Sequence, residues 1–346
     1  MAREREIIAS ICTCTYNGER VIGEYFSGIF SQDFPLGKVE IIIMDGGSSD
    51  ETLKIVKKWK EKYPEVIKLF HNVKQYSIGK GFGMDQATRK AKGKYIVHLD
   101  QDNILIQRNW LNRIISILEN NSKISGVQSL LAVMETASNL DKYINDLGIE
   151  TPFAAEYSLN AQVVLNPWKF NYLPDEKIYT YEVNKKNFYY AGDNGFIIRR
   201  EEFFRFGGYT QDIDNFWRMA QSKEKVLIAI PEEIKLYHKT STSLTHMLKK
   251  RIYYMRQYLI ENFSERDFYW INLKKNNFAQ NFRFVKLVLR NLIIFPELIK
   301  SIEMAIRKKK LYWLMHPFIL WIMTLGYIYG FFYVNIFKKT NKNVSI

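Results

Sequence analysis

The chain has 346 residues, 47% of them hydrophobic, which suffices for one large α/β domain with appendages or for two average domains. Its 50 lysines and arginines against 36 acidic residues give a net charge of +14, which favours an anionic partner such as nucleotide phosphates, lipid headgroups or nucleic acid. The only cysteines, Cys12 and Cys14, sit one residue apart with no Cys/His cluster near them. That spacing excludes a disulfide scaffold and a structural zinc site and makes both small core residues.

The N-terminus, residues 1–6, is charged and lacks the apolar run of a secretory signal, which predicts that the N-terminal part stays in the cytoplasm. Residues 7–14 form a near-continuous apolar run typical of a strand buried on both faces. Thr15-Tyr16-Asn17-Gly18-Glu19 ends it, and Val21, Ile22, Tyr25, Phe26 and Ile29 follow at helical spacing. A second buried strand, 39–44, ends in Asp45-Gly46-Gly47-Ser48-Ser49-Asp50. Thr52, Leu53, Ile55, Val56 and Trp59 then interleave with lysines as a helix that Asp50 can cap. Residues 66–71 read as a third strand, 79–92 as a glycine-opened helix and 95–99 as a fourth strand. Strand and helix in alternation predict a mostly parallel sheet covered on both faces, with its ligand at the carboxyl ends of the strands.

Three polar groups fall at that edge: Thr15-Tyr16-Asn17, Asp45 and Asp100-Gln101-Asp102. Two carboxylates one residue apart at the end of a buried strand call for a neutralising cation. Oxygen ligands with open positions suit Mg2+ or Mn2+ carrying a phosphorylated substrate. Farther on, 126–134 predicts a strand, 139–161 helix, 168–188 no clear period, 189–200 a short strand around Gly192-Asp193-Asn194-Gly195, 211–221 a helix and 226–230 a last strand. Residues 237–243 read as a polar loop.

Taken together these motifs resemble the family 2 inverting glycosyltransferases of the GT-A fold, over roughly residues 7–256. The resemblance rests on Cys14-Thr15-Tyr16-Asn17, Met44-Asp45-Gly46-Gly47-Ser48-Ser49-Asp50-Glu51-Thr52, Leu99-Asp100-Gln101-Asp102-Asn103 and Ala191–Arg200 followed by Gly207-Gly208-Tyr209. It implies a Rossmann-like nucleotide-sugar-binding domain. In it Asp45 contacts the nucleobase, Thr15, Tyr16, Asn17 and Glu19 line the nucleotide pocket, Asp100 reaches the ribose or a metal-bound water, and Asp102 holds a divalent metal on the diphosphate. Asp212, in Asp212-Ile213-Asp214 with Arg218 beyond, is the implied general base, although Gln211 replaces the family's Glu and Asp214 competes for the role. The resemblance also implies His238 as a further metal ligand, against the commoner reading of a structural histidine. Asp193, Asp214, Arg251 and Arg256 are candidate acceptor-side or phosphate contacts. The Tyr253–Tyr258 stretch lacks the Gln-x-x-Arg-Trp pattern of processive polysaccharide synthases.

Residues 282–307 alternate apolar and basic side chains and predict an amphipathic segment lying on an anionic membrane surface. Residues 313–337 contain no Asp, Glu, Lys or Arg, a length of roughly 37 Å as a helix, enough to cross a bilayer once; a hairpin bent at Gly326 or Gly330 is the alternative. The expected organisation is a GT-A catalytic domain over 1–245, basic amphipathic interface helices over 246–310 and a transmembrane helix with a short basic tail over 311–346, in a membrane protein that is single-pass or monotopic with its catalytic domain in the cytoplasm. Membrane lipids account for the excess charge, and no nucleic-acid-binding motif is present. The expected partners are a nucleotide-sugar donor and a lipid-linked or other membrane-proximal glycan acceptor. Transfer to polyprenyl phosphate and a catalytically inactive membrane scaffold are the alternatives.

Overall fold

A computed structural model describes residues 5–72, 80–210, 212–239, 243–254, 266–272 and 274–340, with residues 80, 212, 254 and 333–340 described by backbone alone. The chain divides into two compact units, Met1–Val133 with Tyr157–Lys239, and Met134–Glu156 with Thr240–Ile346.

In the first unit the chain runs β1 (Ala9–Thr15), α1 (Ile22–Phe30), β2 (Val39–Asp45), α2 (Thr52–Lys62), β3 (Ile67–His71), α3 (Lys80–Arg89), β4 (Tyr95–His98), β5 (Asn103–Ile104), α4 (Trp110–Asn120), β6 (Ile124–Gln128) and β7 (Leu130–Leu131). The chain passes through α5 (Asn139–Leu147) of the second unit and returns with α6 (Leu159–Leu165), β8 (Asn171–Leu173), β9 (Ile178–Glu182), β10 (Phe196–Arg199), α7 (Arg200–Arg205), α8 (Asp212–Gln221), β11 (Leu227–Pro231) and β12 (Lys235–His238). Among the described residues nine strands form one sheet in the order β3-β2-β1-β4-β10-β6-β11-β9-β8. Only β10 and β9 run against the rest, so the sheet is mixed but mostly parallel.

The buried apolar runs explain the order: β1 and β2 bury nearly every residue on both faces, as central parallel strands do. Ile11, Ile41, Ile43, Tyr95 and Val97 pack with Tyr25, Phe26, Trp110 and Ile114 of the covering helices into one core. The aperiodic 168–188 stretch contains the β8–β9 hairpin, which extends the sheet at its edge. The polar loop expected over 237–243 begins instead with β12, which pairs antiparallel with β5 and parallel with β7 in a second, small sheet.

The second unit is helical. Alongside α5 it contains α9 (Leu244–Tyr254), α10 (Phe278–Ile293), α11 (Phe295–Lys308) and α12 (His316–Thr340). Ser138 caps α5 by accepting from the Asp141 N–H, and Gly148 ends it in the left-handed conformation with its N–H on the Ile144 carbonyl. Pro296, at the first turn of α11, lacks the N–H that a continuous helix would need, so α10 stops before it. Leu311–Phe332 is long and apolar enough to cross a membrane, but 44% of it is buried inside the protein, and a core helix meets the same test.

Candidate active site

The parallel register sets Thr15 opposite Asp45, and both lie at the carboxyl edge of the sheet. Asp45 is buried. Its carboxylate accepts from Thr15 Oγ1 at 2.9 Å, from the Gly47 and Ser48 backbone N–H groups at 2.9 Å each, and from Ser48 Oγ at 2.6 Å. These four bonds fill the acceptor sites of a carboxylate, so Asp45 shapes the 46–48 turn.

A net of bonds ties the loop after β1 to the loop after β2. Asn17 adopts a left-handed backbone (φ 45°), its N–H reaching Ser48 Oγ and its side-chain oxygen accepting from the Ser49 N–H. Gly18 N–H donates to Thr52 Oγ1, Glu19 N–H to Asp50, and Glu51 N–H back to the Glu19 carboxylate. Glu19 thus satisfies an N–H at the start of α2. Burial pushes the Asp50 pKa up, but the bonds from Thr52 and from the Glu19 and Thr52 N–H groups outweigh it and hold Asp50 below the ordinary range.

Gln101, the middle residue of the acidic turn, carries a contact that spacing alone does not reveal. Its side-chain oxygen accepts from Tyr16 N–H at 3.1 Å and its amide nitrogen donates to Tyr16 C=O at 3.0 Å. The amide reads the Tyr16 backbone as a neighbouring strand would, leaving the tyrosine ring partly exposed at the rim. A Cβ on Gly18 would lie 2.3 Å from Gln101 Oε1, so the glycine makes room for this clamp.

Asp102 approaches His238 because β5 pairs with β12. The register places His238 opposite Asn103, and Lys239 N–H donates to the Asp102 carbonyl at 2.9 Å. Asp102 Oδ2 and His238 Nε2 lie 3.3 Å apart, with His238 buried and Asp102 about a quarter exposed. Adjacent donors on an octahedral ion with 2.0–2.1 Å bonds lie about 3 Å apart, so this pair fits two neighbouring corners around Mg2+ or Mn2+. No group of three His, Cys, Asp or Glu side chains is gathered for a metal among the described residues. An ion held by this pair would have to complete its shell with ligands other than His, Cys, Asp or Glu side chains among the described residues, as Mg2+ sites that keep several waters do.

Asn103 joins this turn to the loop before β10. Its side-chain oxygen accepts from Asp100 N–H at 3.0 Å, and its amide donates to Asn194 Oδ1 at 2.8 Å. Gln128 holds the same loop, donating to the Asp193 and Asn194 carbonyls and accepting from Gly192 N–H. His98 Nδ1 lies 2.9 Å from the Gly192 carbonyl, which makes Nδ1 the protonated nitrogen, and Phe203 and Tyr209 meet its ring edge-on. The structure therefore brings Thr15, Tyr16, Asn17, Glu19 and Asp45 together through the two tied loops, and Asp102 to His238. It joins the Asp100 turn to the Asp193 loop.

Asp212 opens α8, and its side chain falls outside the described residues. Asp214 is buried on the same helix. Its neighbours pin the Gly207-Gly208 turn: Asn215 donates to the Phe206 and Gly208 carbonyls, and Arg218 to Gly208 O and Thr210 Oγ1. Arg251 lies in the second unit, where it and Lys250 both bind the Glu150 carboxylate. Arg256 falls outside the described residues.

The sequence profile of glycosyl transferase family 2 matches residues 10–201, more than half of the chain. Poly(ribitol-phosphate) beta-N-acetylglucosaminyltransferase TarS of Staphylococcus aureus is 33% identical over 97 residues, 28% of this chain and only 16% of TarS. The Escherichia coli UDP-Glc:alpha-D-GlcNAc-diphosphoundecaprenol beta-1,3-glucosyltransferase WfgD is 24% identical over 278 residues, 78% of this chain and 99% of WfgD. The mannosyltransferase PcManGT of Pyrobaculum calidifontis, solved with GDP-Man and Mn2+, shares the fold with a TM-score of 0.54 at 16% identity, over 97% of this chain and 89% of its own. The profile covers β1 through the start of α7, the stretch that carries the tied loops, the acidic turn and the loop before β10, and the chain belongs to glycosyl transferase family 2.

Proposed function

We propose that the protein transfers a sugar, with inversion, from a nucleotide-sugar donor to a membrane-proximal, lipid-linked glycan acceptor. The observation that carries the proposal is the Asp102–His238 pair beside the two loops tied at the carboxyl edge of the sheet. Thr15, Tyr16, Asn17 and Glu19 line the nucleotide pocket in this reading, and the base takes the place of the Ser48 hydroxyl on Asp45. Asp100 reaches the ribose. Asp102 and His238 would hold a divalent ion, which would supply charge neutralisation for the departing nucleoside diphosphate. The base is a separate carboxylate, Asp212, because a metal-bound carboxylate is a poor proton acceptor. Direct attack by the deprotonated acceptor hydroxyl inverts the anomeric centre. Asp193, Asp214, Arg251 and Arg256 remain candidate acceptor or phosphate contacts.

The lipid-linked acceptor is supported by WfgD, whose named acceptor is a diphosphoundecaprenol-linked sugar and which this chain matches along nearly all of its length. Catalysis on the cytoplasmic face of a membrane, where such acceptors and nucleotide sugars meet, completes the reading. Binding of a panel of nucleotide sugars, with and without Mn2+, tests it. One donor bound only with metal supports the proposal, and a folded protein that binds none overturns it.

A further inference from the structure

Beside its apolar core the second unit buries a set of polar groups, and it exposes apolar side chains on three helices. Inside, Tyr143 OH lies 2.7 Å from His316 Nδ1, and His316 Nε2 lies 3.1 Å from Glu297, which also pairs with Arg290. Asn291 donates to Thr324 Oγ1, Ser301 to the Trp313 carbonyl, and the Trp313 indole to Asp146. Glu297, Asn291, Ser301, His316 and Thr324 are all buried.

Outside, each of three helices carries an apolar stripe at three- and four-residue spacing. On α10 it is Phe278, Phe282, Val285, Leu289 and Ile293. On α11 it is Phe295, Ile299, Ile302 and Ile306, and on α12 Phe318, Trp321, Leu325 and Tyr329, with Leu314 in the turn just before it. Phe278, Phe282, Phe295 and Phe318 are 84%, 56%, 65% and 58% exposed. At about 200 Å² per ring these four alone leave roughly 500 Å² of apolar surface open.

The chemistry of the occupant follows from charge. Eight basic residues and two acidic ones lie between Phe278 and Lys310. Basic side chains flanking apolar stripes fit the headgroups and acyl boundary of an anionic bilayer. The packing also decides how the unit meets that bilayer. Helix α12 packs against α10 and α11. Were α12 to cross the hydrocarbon, its partners would enter with it, carrying the exposed Lys286, Glu303 and Arg307. In the interface plane those side chains extend toward water while the stripes sink among the acyl chains.

We infer that the second unit is a monotopic membrane module that lies in the plane of one anionic leaflet through the stripes of α10, α11 and α12, in place of the spanning helix expected over 311–346. The inference does not rest on the donor chemistry proposed above, since it concerns vesicle binding with no substrate present. The test uses the full chain, exchanged from detergent, floated with phosphatidylcholine vesicles with and without phosphatidylglycerol. Phosphatidylglycerol is expected to strengthen binding at least about tenfold. Leu289→Glu, Ile299→Glu and Phe318→Glu, one per stripe, should each weaken it about tenfold while leaving nucleotide-sugar affinity unchanged.

Spin labels at positions 285, 302, 318 and 332, in a Cys14→Ser background, then report depth. Near-equal shallow depths support the in-plane module. Positions 318 and 332 are fourteen residues apart, about 21 Å along a helix. Depths differing by that distance, with one label across the bilayer centre, overturn the inference in favour of spanning. Absence of vesicle binding together with reversible self-association in sedimentation also overturns it, the stripes then covering a second copy of the chain.

Discussion

Replacing Gln101 with alanine removes both bonds that the amide makes to the Tyr16 backbone and deletes no group proposed to touch the donor. Both bonds are solvent-exposed, so each is worth about 0.5–1 kcal/mol, for a total of about 1–2 kcal/mol. If that energy holds the 15–18 loop in its donor-binding shape, Gln101→Ala should raise the donor Kd and KM roughly five- to thirtyfold and leave kcat within about twofold. Gly18→Ala offers an independent route to the same loss, because its methyl group would meet Gln101 Oε1 at 2.3 Å. The two substitutions should be strongly non-additive: Gly18→Ala should weaken donor binding in the wild-type background and change little beside Gln101→Ala. Calorimetric titration of the donor on all four proteins completes the cycle. Additive effects, or a fall in kcat with donor affinity intact, would refute the clamp.

Groups that merely support a metal ligand change affinity by about 10–100-fold, so Asp102→Asn should weaken Mn2+ binding by at least that much, with His238→Ala in the same direction, both read by Mn2+ titration. Asp212→Asn should lower kcat by about 10²–10⁴ and spare donor binding; unchanged turnover removes Asp212 as the base. Gly195 has φ +83° and its Cβ would lie 2.4 Å from Leu236 Cδ2, so Gly195→Ala should lower the thermal midpoint and disturb the Asn103–Asn194 contact. Burial pushes the Glu40 pKa up, but Lys68, Ser10 and the Lys92 N–H outweigh it and hold the carboxyl low. Its folded pKa lies below the unfolded value of about 4.3, so its contribution is present above that pH and is lost as pH falls through the folded value. Glu40→Gln should therefore lower the denaturation midpoint at pH 7, and the gap from wild type should close below about pH 4.

The parallel half of the sheet was legible because β1, β2 and β4 are buried on both faces and read as unbroken apolar runs ending in polar residues. Position along the chain was then enough to bring Thr15, Asp45 and Asp100 to one edge. β12 was not legible: Lys235–His238 is short and alternates weakly, and only its pairing with β5 makes it a strand. For the same reason the roles of Gln101 and Asn103 were not legible, since their partners Tyr16 and Asn194 lie 85 and 91 residues away. The β8–β9 hairpin stayed hidden because an edge hairpin with exposed residues such as Tyr172 lacks a burial period. In the second unit the apolar and basic alternation over 282–307 was visible as a pattern, but the exposed stripe on α12 was not, because 313–337 carries no charge to mark its faces. The association of 134–156 with the C-terminal helices, and the polar interior built around Glu297 and His316, exist only in three dimensions.

The closure of β5 on β12 also sets an order of assembly. The loops from Thr15 to Thr52 are complete once the first few dozen residues have left the ribosome, but Asp102 waits for a strand that begins at Lys235. Closing so long a loop is slow compared with local pairing. A truncated chain ending before β12 would carry the tied loops and the acidic turn yet lack His238, half of the proposed metal grip.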